Sequence, residues 1–486
     1  MKVAMLHYHL RRGGVGSVMH RQAAGLALTE DPPELAFVVG AAPEGPSSAP
    51  VFVVPGLDYD GFTGADASDL EAGAERLAAA IEEALSRAFP GGCDLLHVHN
   101  PLLRKNARLL GALRILQSRG YALLVQEHDF AEDFRPDVYD SAWPYPESCD
   151  YATINSRDRD SLVAAGLDPR HVHLLPNPVA DDGEFSPRGG FAAEAAKGRR
   201  TVLYPVRAIR RKNLGEALLL SLFLPESAEL AVTLPPTSEA DWPGYRAWKA
   251  FAAKEGLPVR FEVGEGAPLA ALYGRSFAAV TTSVKEGFGY SYLDPLTRGI
   301  PVLGRRIPHI ARDFSEQGIE FPGLYDSLLT PVAARERKGP RRAADGRLAR
   351  FREVFGPAFG KAGVARLEAL LEALPRRFEG DLLDFGALDP RSQASLLARI
   401  KGDGAFAAEV VRLNPALERL ASQAPSAEEA LLRREAVARA YSERGCGELL
   451  AAAYGQALRR EASGRVDKAA LLERYLQPSA FFLSAS

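Results

Sequence analysis

Residues 3–28 read VAMLHYHLRRGGVGSVMHRQAAGLAL. Residues 3–9 form a short apolar run of strand character, Arg11-Arg12-Gly13-Gly14-Val15-Gly16 is a glycine-rich turn, and residues 17–28 repeat apolar side chains at helical spacing. Strand, glycine turn and helix in that order predict the first βα unit of a doubly wound sheet. Gly14 and Gly16 would let a ligand approach the backbone, where a helix N-terminus favours negative charge. No third glycine follows at the offset of the dinucleotide fingerprint, so the turn does not support a nicotinamide enzyme.

Outward from this unit the rhythm continues. Apolar runs at 36–39, 51–54, 95–99, 122–127, 151–155 and 173–176 read as strands, with helical stretches at 70–88, 106–119 and 157–165 between most of them. Such alternation predicts mainly parallel pairing with both sheet faces covered. Asn177-Pro178 and the polar stretch 181–199 interrupt it and read as a linker. Strands at 201–206, 229–234, 259–263, 278–282 and 301–303 then alternate with helices at 213–221, 245–255, 269–276 and 288–298. The expected class is therefore α/β, with one Rossmann-like domain over 1–180 and a second over 199–330. From about residue 331 the chain is Ala-, Leu- and Arg-rich and almost wholly helical in pattern, an insertion or extension over 331–440. Arg335, Arg337, Lys338, Arg341 and Arg342 make a basic stretch, read as a solvated disordered loop or a contact for anionic lipid.

Bulk composition fits an ordinary globular chain: 486 residues, 47% hydrophobic, 25% charged. A formal net charge of -3 carries no global basic field for nucleic acid. The apolar runs are too short to cross a bilayer, and the N-terminus has no cleavable signal shape. Cys93, Cys149 and Cys446 are far apart and form no metal-type pair, which suits a reducing cytoplasm, with association at the inner membrane face as the further option.

The chemistry concentrates in two stretches of the second half. Arg207-Ala208-Ile209-Arg210-Arg211-Lys212 closes its first strand, where doubly wound sheets collect ligands. Arg207 can fork onto phosphate oxygens and Lys212 can add a point charge; taken alone, a solvated basic turn competes with this reading. The other stretch reads SVKEGFGYSYLDP over 283–295. Glu286 is expected to close a strand, and Gly287-Phe288-Gly289-Tyr290 to expose backbone N–H groups to an anion at a helix start. Asp294 falls about two turns further on. Carboxylates flanking an anion-binding turn suit a ligand with phosphates in its middle and hydroxyls at both ends.

These motifs resemble those of the family 4 retaining glycosyltransferases of GT-B fold. That family has an E-x7-E motif, an Arg/Lys pair after the first strand of its second domain, and a glycine-rich N-terminal loop. Here they stand as Glu286…Asp294, Arg207…Lys212 and Gly13–Gly16, with the second acid one methylene shorter. Residues 286–305 (EGFGYSYLDPLTRGIPVLGR), 94–101 (DLLHVHNP), 126–129 (QEHD), 155–162 and 175–179 (LPNPV) follow the same pattern. The likeness covers about 1–310 and 437–458 and fades between 320 and 435.

The resemblance implies two Rossmann-like domains facing a cleft, with helices over 441–486 returning to the first domain. It implies a hexose passed from a nucleotide diphosphate sugar (UDP-, GDP- or ADP-linked) to a small-molecule or glycan acceptor, sugar-like or phosphorylated. No metal or other cofactor is expected, nor any nucleic-acid partner. His128 matches the family's histidine near the transferred sugar, with Asp129 beside it to orient the ring. His99, Asn100, Arg104 and Lys105 are expected to face the acceptor. A phosphorolytic or epimerising GT-B enzyme, and a non-catalytic sugar-nucleotide-binding subunit, are the competing readings. The helical region leaves room for a homo-oligomer.

The pairs His7/His9, His97/His99 and His171/His173 put both members on one strand face, so zinc is geometrically conceivable. No carboxylate or cysteine joins them at ligand spacing, and they are read as cleft-lining or satisfied core histidines. Asp158-Arg159-Asp160 falls in a predicted helix and is read as a solvated face.

Overall fold

In the computed structural model, residues 1–11, 13–60, 67–180, 185–186, 200–420 and 425–484 are described. Arg12 and nearly all of the expected linker 181–199 lie outside them. Contacts divide the chain into two compact units. The first comprises Met1–Pro178, Ala349–Leu371 and Tyr441–Gln477; the second comprises Val179–Leu348, Glu372–Ala440 and Pro478–Ser486.

The first unit begins β1 (Lys2–His7), α1 (Gly14–Leu26), β2 (Glu34–Val39), β3 (Val51–Val53), α2 (Ala67–Ala88), β4 (Leu95–His99), α3 (Leu109–Ser118), β5 (Ala122–Glu127), β6 (Asp150–Thr153), α4 (Ser156–Ala164) and β7 (Val172–Leu174). Its seven strands lie in the order β3-β2-β1-β4-β5-β6-β7, every described pairing parallel. The second unit carries β8 (Arg200–Arg207), α5 (Leu214–Ser221), β9 (Ala228–Leu234), α6 (Trp242–Glu255), β10 (Val259–Arg260), α7 (Leu269–Arg275), β11 (Ser276–Thr281), α8 (Tyr290–Leu296), β12 (Val302–Arg305), α9 (Pro308–Glu316) and β13 (Leu324–Tyr325). Its six strands run β10-β9-β8-β11-β12-β13, again parallel. In both sheets the first strand sits where the winding reverses, between β1 and β4 and between β8 and β11. Loops at the carboxyl ends of those strands diverge and leave room for ligands.

Residues 36–39, 95–99 and 122–127 are wholly buried, as parallel strands covered on both faces must be. Val3, Met5, Phe37, Leu95 and Leu124 fill one layer of the first unit; Leu6, Val38, Leu96, Val98 and Val125 fill the other.

The later chain is less uniformly helical than its pattern suggests. Strand β14 (Leu329–Pro331) pairs antiparallel with β15 (Leu382–Asp384). Between them runs α10 (Ala334–Ala373), broken at Gly360, whose φ of 58° no helix accommodates. The basic stretch 335–342 belongs to this helix and is not a disordered loop; Arg337 pairs with Asp381 at 2.6 Å and Arg341 with Glu379 at 2.9 Å. Helices α11 (Pro390–Gly402), α12 (Gly404–Leu413), α13 (Pro415–Arg419), α14 (Ala427–Tyr441), α15 (Glu443–Ala457) and α16 (Lys468–Tyr475) complete the chain.

Helix α15 lies against α1 in the first unit at Gly25 and Gly447, where a Cβ on either residue would collide with the other helix's backbone. Among the described residues no helix is long and apolar enough to cross a membrane.

Candidate functional site

In the second unit, strand β8 ends at Arg207, and a 3-10 turn over Arg210–Lys212 leads to Asn213. Asn213 is left-handed, with φ 57° and ψ 56°, and passes the chain into α5. The facing loop follows β11. That strand stops at Thr281, so Glu286 does not close it but sits within the loop. The cause is the neighbouring turn: Thr282 Oγ1 donates to the Lys212 carbonyl at 3.0 Å, and Val284 N donates to the Arg211 carbonyl at 3.0 Å. The loop exchanges ladder bonds for bonds to the β8–α5 turn.

This stitching brings Lys212 and Glu286 together. The Lys212 ammonium donates to Glu286 Oε1, and Arg211 Nη1 donates to Oε2 at 2.6 Å and to the Lys285 carbonyl at 2.8 Å. The Glu286 side chain is only 8% exposed. Burial alone would raise its pKa, but Arg211 and then Lys212 outweigh it and hold the carboxyl down at about 2. Arg207 is half-buried and makes no side-chain hydrogen bond or ion pair among the described residues. The site thus combines a locked carboxylate with cations able to meet an anion.

The glycine turn behaves as its composition demands. Gly289 has φ 99°, and a Cβ there would approach Ile310 Cγ2 and Tyr292 Cδ2 to 2.9 Å, so glycine is required twice over. Phe288 is buried, its ring 5.2 Å from that of Tyr290. The helix beyond starts at Tyr290 rather than at 288 and spans seven residues, so Asp294 lies about one turn into it, half-buried. So short a helix adds little dipole; an anion at Gly287–Tyr290 would depend on individual amides and the nearby cations.

Sequence reasoning missed what braces the β8–α5 turn. Arg305 and Glu216 are buried ion partners, Nη2 to Oε2 at 2.8 Å, and the same guanidinium reaches Asp384 Oδ1 at 2.7 Å. Tyr325 donates its hydroxyl to Glu216 Oε1 at 2.7 Å. Asn213 Nδ2 donates to Glu216 Oε2 at 2.8 Å, and Gln393 Nε2 donates to Asn213 Oδ1 at 2.9 Å. Segment 382–393, where the motif likeness had faded, therefore braces the residue that follows Lys212. Nothing in its local sequence marks that role.

In the first unit the carboxyl ends of β1, β4 and β5 gather a set of histidines. His99 Nδ1 and His128 Nε2 stand 3.0 Å apart, and the rings stack at 5.3 Å. His7 Nδ1 lies 3.0 Å from the His99 carbonyl oxygen. His97 uses both ring nitrogens, Nδ1 with the Tyr454 hydroxyl at 2.9 Å and Nε2 with Gln126 Oε1 at 2.9 Å. Because Gln126 Oε1 can only accept, the neutral His97 carries its proton on Nε2 and Tyr454 donates to Nδ1. Burial drives these rings toward the neutral form: His7 and His97 down to about 3, His128 to about 4, and His99 well below its ordinary value.

Asn100, buried at φ 54°, accepts the His128 backbone N–H on Oδ1 at 2.6 Å. Asp129 does not orient the His128 ring as expected. It is exposed and faces Arg135 at 3.5 Å, and the His128 ring is met by His99 instead. Arg104 and Lys105 are half-buried in the loop after β4. Gly14 and Gly16 lie within the first turns of α1. His171 Nδ1 and His173 Nε2 both reach Asp150 Oδ1, at 3.1 and 2.8 Å.

The expected solvated face of α4 is corrected at Asp158. That residue is buried and accepts from Tyr475 at 2.7 Å and from Asn155 Nδ2 at 2.8 Å, while its backbone N–H donates to Asn155, the N-cap of its helix. A first-turn carboxylate turned inward by a hydroxyl of the C-terminal helix has no periodicity signature.

Over nearly its whole length the chain superposes on known two-sheet structures. Sucrose-phosphate synthase from Thermosynechococcus elongatus matches with a TM-score of 0.53 at 12% identity, over 93% of this chain and 98% of that one. This is the GT-B fold. Another GT-B neighbour, the Anabaena HepE protein in complex with UDP and glucose, gives 0.52 at 13% identity over 94% and 100%. A glycosyltransferase from Rickettsia africae gives 0.52 at 10% over 94% and 99%. In sequence, the chain is 25% identical over 319 residues to mannosylglucosyl-3-phosphoglycerate synthase of Petrotoga mobilis, a match that takes in 60% of this chain. The chain spans 59% of that relative's length. No family model matches it.

Proposed function

We propose that this GT-B chain is a retaining glycosyltransferase that moves a hexose from a nucleotide diphosphate sugar to a sugar-like or phosphorylated acceptor, without a metal ion. The observation that carries the reading is the Lys212–Glu286–Arg211 cluster beside Gly287–Tyr290 at the switch point of the second sheet. Arg207 and Lys212 would neutralise the diphosphate, the Gly287, Phe288, Gly289 and Tyr290 segment would offer amides to it, and Asp294 would accept from the ribose. Glu286, held ionised, would accept from sugar hydroxyls. As the glycosidic bond breaks, negative charge grows on the leaving phosphate, and donors fixed in advance stabilise that state more than the ground state. No nucleophilic carboxylate is assigned. The leaving phosphate takes the acceptor proton while the acceptor attacks from the same face, and the configuration is kept.

In the first unit, neutral His128 can hydrogen-bond a sugar hydroxyl, with His99 and Asn100 holding its ring and backbone. Asp129, Arg104 and Lys105, with Gly14 and Gly16, would meet the acceptor. Two similarities support this reading. A structural neighbour was determined with UDP and glucose, and the relative is named for making mannosylglucosyl-3-phosphoglycerate. We assign the protein to the cytoplasm.

The test is a thermal-shift series with UDP, GDP and ADP and their hexose forms, followed by product analysis with the stabilising donor. Stabilisation by one nucleotide and an α-linked product from an α-linked donor are expected. A product of inverted configuration would overturn the retaining assignment, and binding without transfer to any acceptor would favour the non-catalytic alternative.

A further inference from the structure

Lys105 follows β4 at the switch point of the first sheet. Its side chain is half-buried, yet among the described residues its ammonium has neither a hydrogen bond nor an ion pair; it lies 5.4 Å from the centre of the Tyr59 ring. Burial lowers its pKa, and Arg135 pushes the same way against Asp129 and Asp137. Those carboxylates are already answered. Asp129 faces Arg135 at 3.5 Å, Asp137 faces Arg350 at 3.6 Å, and nearby Asp58 is bound by Arg11. Among the described residues around it, Lys105 is left without such a partner. A desolvated ammonium without a counter-charge is costly unless a ligand supplies one.

The ring beside it is open to solvent. Tyr59 is 47% exposed, with the His9 ring 4.8 Å from it on one side and Lys105 on another. His9 Nδ1 is buried without a partner among the described residues. The loops that present these groups contain Asn100 at φ 54° and Phe134 at φ 57°, left-handed conformations rare for such residues and concentrated at functional sites.

We propose that Lys105, beside the open Tyr59 face, binds an acid group, phosphate or carboxylate, carried by the acceptor. This rests on the transferase reading and narrows it to acid-bearing acceptors. The ammonium supplies charge-assisted donors, and the tyrosine ring covers the apolar part of the ligand.

The test is calorimetric titration of the full chain with 3-phosphoglycerate, glycerate and inorganic phosphate. Because phosphate would also suit Lys212, the titration is run on Lys212→Ala as well as on Lys105→Met and Lys105→Arg. The expected result is 3-phosphoglycerate affinity kept in Lys212→Ala, lowered at least about tenfold in Lys105→Met and largely restored in Lys105→Arg, with melting temperatures of the unliganded variants matching the parent. Affinity unchanged in Lys105→Met, or lost in Lys212→Ala instead, overturns the subsite. Transfer to a neutral sugar separates the two claims. If it persists while acid binding ignores Lys105, the subsite fails and the transferase reading stands.

Discussion

Gln393 donates its side-chain amide to Asn213 Oδ1 at 2.9 Å and to the Phe385 carbonyl at 3.0 Å. A glutamine far along the chain thereby braces the left-handed residue that sets Lys212 at the end of its turn. In Gln393→Ala both acceptors lose a buried donor, which costs about 1–3 kcal/mol. Urea unfolding should show that loss, and the KM for the nucleotide sugar should rise more than kcat falls. Asn213→Gly, which keeps the left-handed backbone available, should be milder than Asn213→Leu; the reverse order would remove the backbone argument.

Replacing Lys212 with Ala removes the ammonium but leaves Glu286 paired with Arg211. Turnover should fall by roughly two to three orders of magnitude, as for loss of a preorganised donor at developing charge, while circular dichroism stays that of the parent. Near-normal turnover would refute the assignment.

Arg211 acts on Glu286 and is a positioning residue. Glu286 has its folded pKa depressed to about 2, so its contribution to stability is present above the ordinary carboxylate pKa and is lost as pH falls toward 2. Arg211→Gln weakens the hold on the ionised form. The acid limb of the kcat/KM profile should move up by about one pH unit while the plateau at neutral pH changes less. An unmoved limb would show that Lys212 alone sets the carboxylate.

The buried histidines make a further pH prediction. Their folded pKa values are depressed, so between about pH 6.5 and 4 the unfolded chain binds more protons and stability rises with pH, by up to about 1.4 kcal/mol per pH unit for each ring. Glu127, which burial pushes toward its protonated form, acts in the opposite sense. Subtracting the denaturant-unfolding profile of His97→Asn from that of the parent cancels the carboxyl contribution and isolates one ring. A zero difference in slope over that window would mean that His97 is not neutral in the fold.

The alternating strands and helices, the parallel sheets and the site motifs were legible in sequence because each depends on near neighbours. Buried parallel strands must be apolar throughout, βα turns need glycine or a left-handed residue, and the cations of 207–212 are close in the chain. Three features needed tertiary structure. Glu286 leaves its sheet because Thr282 and Val284 bond to a turn some seventy residues earlier. Asp158 faces inward because Tyr475 donates to it from the last helix. Gln393 braces Asn213 directly, and Asp384 does so through Arg305 and Glu216, from a segment without a recognisable motif.

In each case the deciding partner lies far away along the chain. Periodicity and spacing carry no record of which distant hydrogen-bond donor or charge a buried polar group will meet, whereas an unmet one is expensive enough to decide where the chain goes. Local order was written in the residues; the pairing of the buried charges was settled only when the sheets closed over them.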